Sequence, residues 1–315
     1  MLSPHQALPA IAACMLLTAC SSSEGTQPTP PATSVQQTVP PSATTGAEEL
    51  LAGIKVSNLV DRESQKLART ALVDAGIPAE SINRFFDLVG EYYSAVPTDS
   101  LITSGFKDYG TSDPDYDVEG ISTTWKKHHA NYAGTNCRIN TFTLTDSLYT
   151  VADESNPSTD LLFLDKESLN NATKPILDSA ERAKFEAFYS NIRTTSVPDP
   201  AKHIADIKSH FKNRGIRFAD SQAHVISMFS HDTLTDPATL FVGHTGLAVP
   251  YKGGFLFLEK LAFDMPYQAI TVKDMRQLND YLMNKYDDGP GLEYGRPVIF
   301  DNDEVIEGLR YAKKP

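Results

Sequence analysis

Cysteine is scarce in this 315-residue chain: there are three, and Cys14 and Cys20 both fall within the first twenty residues. Past residue 50 only Cys137 remains, so no disulfide can form within that part. Positive charge is also in short supply. The first fifty residues hold no Lys or Arg, and the rest carries 28 basic against 37 acidic residues, a net charge near −9. No basic cluster is dense enough to release many counterions, which argues against a nucleic-acid or polyanionic-lipid partner. Long apolar runs are missing too. The stretch from Ala7 to Leu17 is shorter than the about 20 residues a permanent membrane helix needs. Neither an internal repeat nor a second linker interrupts residues 51–315, 265 residues that read as a single domain.

What the first fifty residues do contain is an export pattern. The apolar run ends in Leu17-Thr18-Ala19-Cys20, the shape of a secretion signal. That tetrapeptide resembles the bacterial lipobox, whose cysteine becomes the lipid-modified N-terminus after cleavage. One feature departs from the pattern, since Met1-Leu2-Ser3-Pro4-His5 lacks a basic residue. Residues 1–20 are therefore read as a lipoprotein signal peptide with Cys20 lipidated. Residues 21–50 read as a disordered tether, because Ser, Thr, Pro, Gln and Gly cannot bury enough surface to offset ordering entropy. Its 27 residues from 21 through 47 would span roughly 30 Å as a flexible coil. The resemblance implies a domain held on the extracytoplasmic side of a membrane by lipid. Ser21 and Ser22 after the anchor imply the outer membrane if the envelope is Gram-negative.

The domain opens with helices. Asp61 is placed as the N-cap of a helix through Ala75, with Leu67, Ala71, Leu72 and Ala75 on one face and Gly76 as its stop. A second helix runs from Ala79 to Ala95 on Ile82, Phe85, Phe86, Val89 and Tyr93. Residues 97–133 read mostly as loop. Asp113, Asp115 and Asp117 there match no calcium-binding spacing, so they read as solvated. Leu161–Leu164 is a strand candidate. Helices are expected around Phe185, Phe188 and Ile192, and from Ala201 to Asn213 with a stop at Gly215. Strands follow at Ala223–Phe229, Thr239–Val249 and Phe255–Phe263, the last two forming a hairpin. Thr271 and Asp274 read as a capping box before another helix, and Pro297–Phe300 as a strand before a small terminal helix. Helices first and strands later predict an α+β fold with an antiparallel sheet.

Chemistry centres on Cys137. A thiol becomes a nucleophile as thiolate, favoured by a nearby cation, a helix N-terminus or an imidazole. Arg138 supplies a charge, and Thr135 or Asn136 can cap a helix beginning at Cys137. Ile139–Thr145 also alternates like a strand, and both readings stand on sequence alone. A nucleophilic cysteine needs a base. Of seven histidines past His5, His244 in Gly243-His244-Thr245-Gly246 has the most open context. Hairpin pairing with Pro250–Gly253 as the turn sets Glu259 opposite His244 as its orienting acceptor, with Asp264 and Asn302 in reserve. Each of these residues also has a plainer reading: a buried inert thiol, a satisfied core histidine and a surface carboxylate. A zinc site on His224, His231 and Asp232 has ligand types but no recognised spacing, and no metal or cofactor is expected.

The order of Cys137, a histidine at a strand start and a polar residue on the next strand resembles papain-like cysteine hydrolases, notably cell-wall amidases and endopeptidases. That resemblance implies a cysteine heading a buried helix and cleavage of amide bonds in peptidoglycan peptides. It makes Cys137 the nucleophile, His244 the base and acid, and Glu259 the orienter. The oxyanion would be held by the Cys137 amide and an Asn136 donor, with Arg138 beside the substrate. A second resemblance is carried by Ser57-Asn58-Leu59, Asn136-Cys137-Arg138, Gly243-His244-Thr245-Gly246, Phe257-Leu258-Glu259-Lys260, Pro266-Tyr267-Gln268-Ala269, Tyr281-Leu282-Met283 and Asn302-Asp303-Glu304. On these the chain is similar to bacterial lipoproteins of domain of unknown function 4300, a family that implies no activity. The expectation is a lipid-anchored cysteine hydrolase. The alternative is a non-catalytic envelope lipoprotein that binds or assembles.

Overall fold

Residues 46–311 are described by the computed structural model; the signal segment, Cys20 and the tether up to residue 45 lie outside them. The first element, α1 (Ala47–Leu50), is a single helical turn, followed by the short strand β1 (Lys55–Ser57). Two helices come next, where the apolar spacing puts them. In α2 (Arg62–Asp74) the Asp61 side chain accepts from the Ser64 amide at 2.9 Å, and α3 (Ala79–Ala95) buries Ile82, Phe85, Phe86 and Val89.

The expected loop of residues 97–133 is more ordered than its composition suggests. It holds a two-residue strand β2 (Lys107–Asp108) and a full helix α4 (Val118–His129), capped by Asp117 and anchored by buried Ile121 and Trp125. Gly120 disguised this helix in the sequence. Then come α5 (Cys137–Thr145), β3 (Tyr149–Thr150) and α6 (Phe163–Asn171). The strand expected at Leu161–Leu164 is instead a helix entry, with Phe163 and Leu164 exposed and Leu162 buried. Further on lie α7 (Ser179–Phe188), β4 (Ile192–Arg193), α8 (Pro200–Arg214) and β5 (Arg217–Phe218). Ile192 thus belongs to a strand rather than to the helix before it.

The second half builds the sheet from β6 (His224–Asp232), β7 (Thr239–Tyr251), β8 (Gly254–Lys260) and β9 (Tyr267–Val272). After α9 (Met275–Tyr286), β10 (Val298–Asp301) and β11 (Glu304–Val305) close it. Among the described residues the main sheet runs β11-β10-β6-β7-β8-β9-β1-β2, with β4 on β7 and every pair antiparallel. The α+β class is thus observed. Three details differ from expectation. Strand β9 was not foreseen. Thr271 is in that strand, so Asp274 alone caps α9, accepting from Gln277 at 2.8 Å. The terminal helix is replaced by β11.

Each face of this sheet has its own core. One packs α2, α3 and α5 against Val225, Phe229, Leu247, Val249, Leu256 and Leu258; the other packs α9 against Ile226, Met228, Ala248, Phe257 and Ile270. Complete burial of a side chain such as Phe142 contributes roughly 1.5–3 kcal/mol, so α5 is firmly seated on β7 and β8. Helix α5 and helix α9 approach the sheet from opposite faces, and the functional residues lie where both meet β7 and β8.

Candidate active site

Cys137 is the first residue of α5. Asn136 caps that helix, its Oδ1 accepting from the Ile139 amide at 3.0 Å. This cap, together with burial of Ile139, Phe142 and Leu144, selects the helix over the strand that the same residues could form. The approach to the helix is tight. Gly134 has φ +89°, and a Cβ there would sit 3.1 Å from the Trp125 ring and 3.2 Å from the Phe263 carbonyl, so only glycine fits.

His244 and Glu259 are delivered by the β7–β8 hairpin. The turn is Lys252-Gly253, both at positive φ, which matches the twist of the flanking strands. It is two residues long rather than the four from Pro250 to Gly253. Glu259 consequently pairs with Gly246, two positions from His244, and a two-residue offset keeps both side chains on one face. His244 Nε2 lies 2.5 Å from Glu259 Oε2. With Nε2 so engaged, Nδ1 faces the Tyr286 hydroxyl at 3.2 Å, and the Cys137 thiol lies close enough to the ring for each to shift the other's pKa. Cys137, His244 and Glu259 are therefore brought together.

Electrostatics favour a charged pair. Burial by itself raises the Cys137 pKa, but the hydrogen bond and charge of His244 and the charge of Arg138 outweigh it and bring the thiol below its ordinary value. Burial would likewise lower His244. Glu259 and the thiol prevail, pushing the imidazole up to about 9. Burial would raise Glu259, yet Lys285, His244 and Tyr281 hold it below the usual carboxylate value. The acid is further tied into a polar network. Tyr281 donates its hydroxyl to Glu259 Oε1 and lies 2.8 Å from Gln268 Oε1, while Gln268 Nε2 donates to Tyr116 at 2.7 Å. Lys285 sits 3.9 Å from Glu259 and 2.7 Å from Asp113. Asp113, read as solvated from sequence, thus belongs to the site's outer network.

Two residues expected at the substrate have other work. Asn136 Nδ2 donates to Asp165 at 2.7 Å, so one of its two donors is used to hold the fold. Arg138 grips the same Asp165 at 3.0 and 2.5 Å and donates to the Val242 carbonyl at 2.8 Å. It binds α5 to α6 and to the strand carrying His244. The glycines around His244 do not open it to solvent either, because the ring is 2% exposed. A Cβ at Gly243 would lie 2.3 Å from Ser230 Oγ, at the bulge between β6 and β7. Gly243 allows that close approach. Of the reserves, Asn302 accepts from the Val225 amide at 2.9 Å, and Asp264 lies in the loop after β8.

The proposed zinc ligands are dispersed among separate duties. His224 pairs with Asp301 at 2.9 Å, His231 Nε2 with the Thr195 carbonyl at 2.9 Å, and Asp232 accepts from the Leu234 amide. Among the described residues no cluster of three metal-ligating side chains occurs. Sequence reasoning passed over Asp165, Gln268, Tyr281, Lys285 and Tyr286. Gln268 and Tyr281 lie in segments that carried the family resemblance, but neither had an assignable role before the network was visible.

A family model described as Domain of unknown function (DUF4300) matches residues 55–306, which takes in every residue of this site. No curated protein and no solved structure matches the chain.

Proposed function

The chain belongs to the DUF4300 family, and we propose that it is a cysteine hydrolase that cleaves an amide bond through Cys137, His244 and Glu259. The single observation behind this reading is a buried imidazole with Nε2 2.5 Å from a buried carboxylate and a thiol near enough for ring and thiol to shift each other's pKa. A cysteine heading a buried helix, with histidine and acid on adjacent antiparallel strands, supports likeness to papain-like hydrolases, and through it a peptide or peptidoglycan substrate.

In this proposal the Cys137 thiolate attacks the amide carbonyl. The amides of Cys137 and Arg138 in the first turn of α5 have no partner among the described residues, as helix starts generally leave them. They are the donors available to the oxyanion. His244 Nδ1 gives its proton to the leaving nitrogen, the C–N bond breaks, and a thioester remains on Cys137. His244 then takes a proton from water as the water attacks the thioester, returning the free thiol. Glu259 keeps the ring oriented and stabilises its charge.

We further propose that the domain is lipid-anchored through Cys20, on the strength of Leu17-Thr18-Ala19-Cys20 behind an apolar run. No helix among the described residues is long and apolar enough to cross a membrane. Cys20→Ala should move the protein from the membrane fraction to the soluble fraction; retention in the membrane would defeat the anchor. One observation favours the second reading, a non-catalytic envelope module: Cys137 is only 5% exposed. Iodoacetamide labelling of Cys137 at neutral pH separates the two. The hydrolase reading expects His244→Ala to slow labelling by at least about tenfold, and indifference to that substitution leaves the binding module.

A further inference from the structure

The nucleophile is nearly closed to solvent, and the imidazole beside it is covered by an aromatic ring. Tyr286 lies flat on His244, ring centroids 4.7 Å apart and planes 28° from parallel. Its hydroxyl is 3.2 Å from Nδ1, the atom that must face the thiol and the leaving group. The ring is half-buried, whereas His244 beneath it is 2% exposed, so Tyr286 forms the layer between the imidazole and water. Three clefts of about 510, 610 and 630 Å³ elsewhere on the surface are lined by none of Cys137, His244, Glu259 or Tyr286.

Tyr286 also occupies a position from which it can move. It is the last residue of α9, and the strap that follows is fixed at its ends and mostly exposed between them, with Gly289 buried and the Tyr294 hydroxyl donating to Asp288 at 2.8 Å. Buried Asp287 accepts from Arg296 Nε at 2.9 Å, pinning the two ends of the strap together. Gly295 donates its amide to His231 Nδ1 at 2.8 Å. Between these anchors Asp288, Pro290, Gly291, Leu292 and Glu293 are exposed, and Gly289 and Gly291 take positive φ. A helix end followed by a glycine-containing segment of this kind can shift without unfolding the sheet beneath it.

We propose that Tyr286 is the specificity-determining residue of this site: its ring plugs the approach to Cys137 and His244, and a substrate reaches them by displacing it. The displacing group must replace what the phenol provides, namely a flat surface on the imidazole and a polar atom at Nδ1. The planar amide of an extended peptide does both, with its leaving nitrogen against Nδ1. A small free amide has too little surface to exchange for a stacked tyrosine, so the device selects chains over single amino-acid amides. The choice of substrate rests on the hydrolase reading; control of access to Cys137 does not.

The test reads access directly. Cys137 is labelled with iodoacetamide and with the bulky fluorescein maleimide in wild type, Tyr286→Phe and Tyr286→Ala. Tyr286→Ala should raise the maleimide rate by at least about tenfold, about 1.4 kcal/mol off the barrier, and raise the iodoacetamide rate less. Tyr286→Phe keeps the ring and should leave both rates near wild type. Equal maleimide rates in all three proteins would overturn the proposal. If Tyr286→Ala no longer unfolds cooperatively, Tyr286→Trp decides: a larger plug must slow the maleimide, and an unchanged rate overturns the idea. Failure of His244→Ala to slow labelling would remove the hydrolase reading while leaving this result standing, so the two failures are distinguishable.

Discussion

Two imidazoles in this protein, His244 buried and His210 half-buried, are pushed in opposite directions. His244 is raised to about 9 and His210 is lowered to about 4. Both lose water, and that loss by itself disfavours the charged ring. Their partners make the difference. His244 faces the Glu259 carboxylate and the Cys137 thiol, whereas His210 on α8 has a buried Nε2 without a partner and the Arg214 charge one turn away. His203, also on α8, repeats the second situation: its ring is buried against His231 at 4.4 Å and its pKa is lowered, by burial first and by His231 next. The lesson is that burial by itself pushes an imidazole down, and a buried carboxylate on the ring reverses the direction.

The most severe way to break the contrast is Glu259→Gln. Without its anion, His244 loses the attraction that opposes desolvation, and the amide can set the wrong tautomer. Loss of an orienting carboxylate in a triad costs about 10⁴ in rate. Here labelling of Cys137 at neutral pH should fall on the order of a thousandfold, about 4 kcal/mol. The pH profile carries the sign. In wild type the thiolate–imidazolium pair exists from the lowered Cys137 pKa up to the His244 value of about 9, so reactivity should persist well below the ordinary thiol range. In Glu259→Gln the onset should move to higher pH. An unshifted profile would mean that Glu259 has no part in holding the charged pair.

Parts of this arrangement were legible in the sequence because they are local. The helix Ala79–Ala95 is written in its 3.6-residue apolar spacing, and the hairpin in its alternation. Cys137, His244 and Glu259 were readable as types in a chemically sensible order. Their meeting was not, because it depends on α5 and β7 packing 107 positions apart along the chain. Helix α4 was hidden by Gly120 and by flanking loop residues, although its Trp125 is core. The partner shared by Asn136 and Arg138 was not legible for one reason: it is 27 or more positions away, and only the fold reveals Asp165 as the acceptor that takes both. Tyr286 gave no signal at all, since a tyrosine at a helix end is unremarkable until its ring is found lying on an imidazole.

A gentler probe sharpens the other half of the comparison. The folded-state pKa of His210 is depressed from 6.5 to about 4. Above the unfolded value the ring is neutral in both states and costs nothing. As pH falls through the window from 6.5 to about 4 the unfolded chain takes up a proton that the folded one resists, so stability declines, and below that window the penalty is complete. Its full size is about 3 kcal/mol. Replacing the ring by His210→Leu removes this term. Urea midpoints should therefore separate the variant from wild type more at acid pH than at neutral pH, with the variant gaining about 3 kcal/mol between the two conditions. The same substitution should leave Cys137 labelling unchanged, because His210 has no contact with the triad. A separation that is equal at both pH values would show that His210 is not held neutral by burial, and the opposition between the two imidazoles would then reduce to His244 alone.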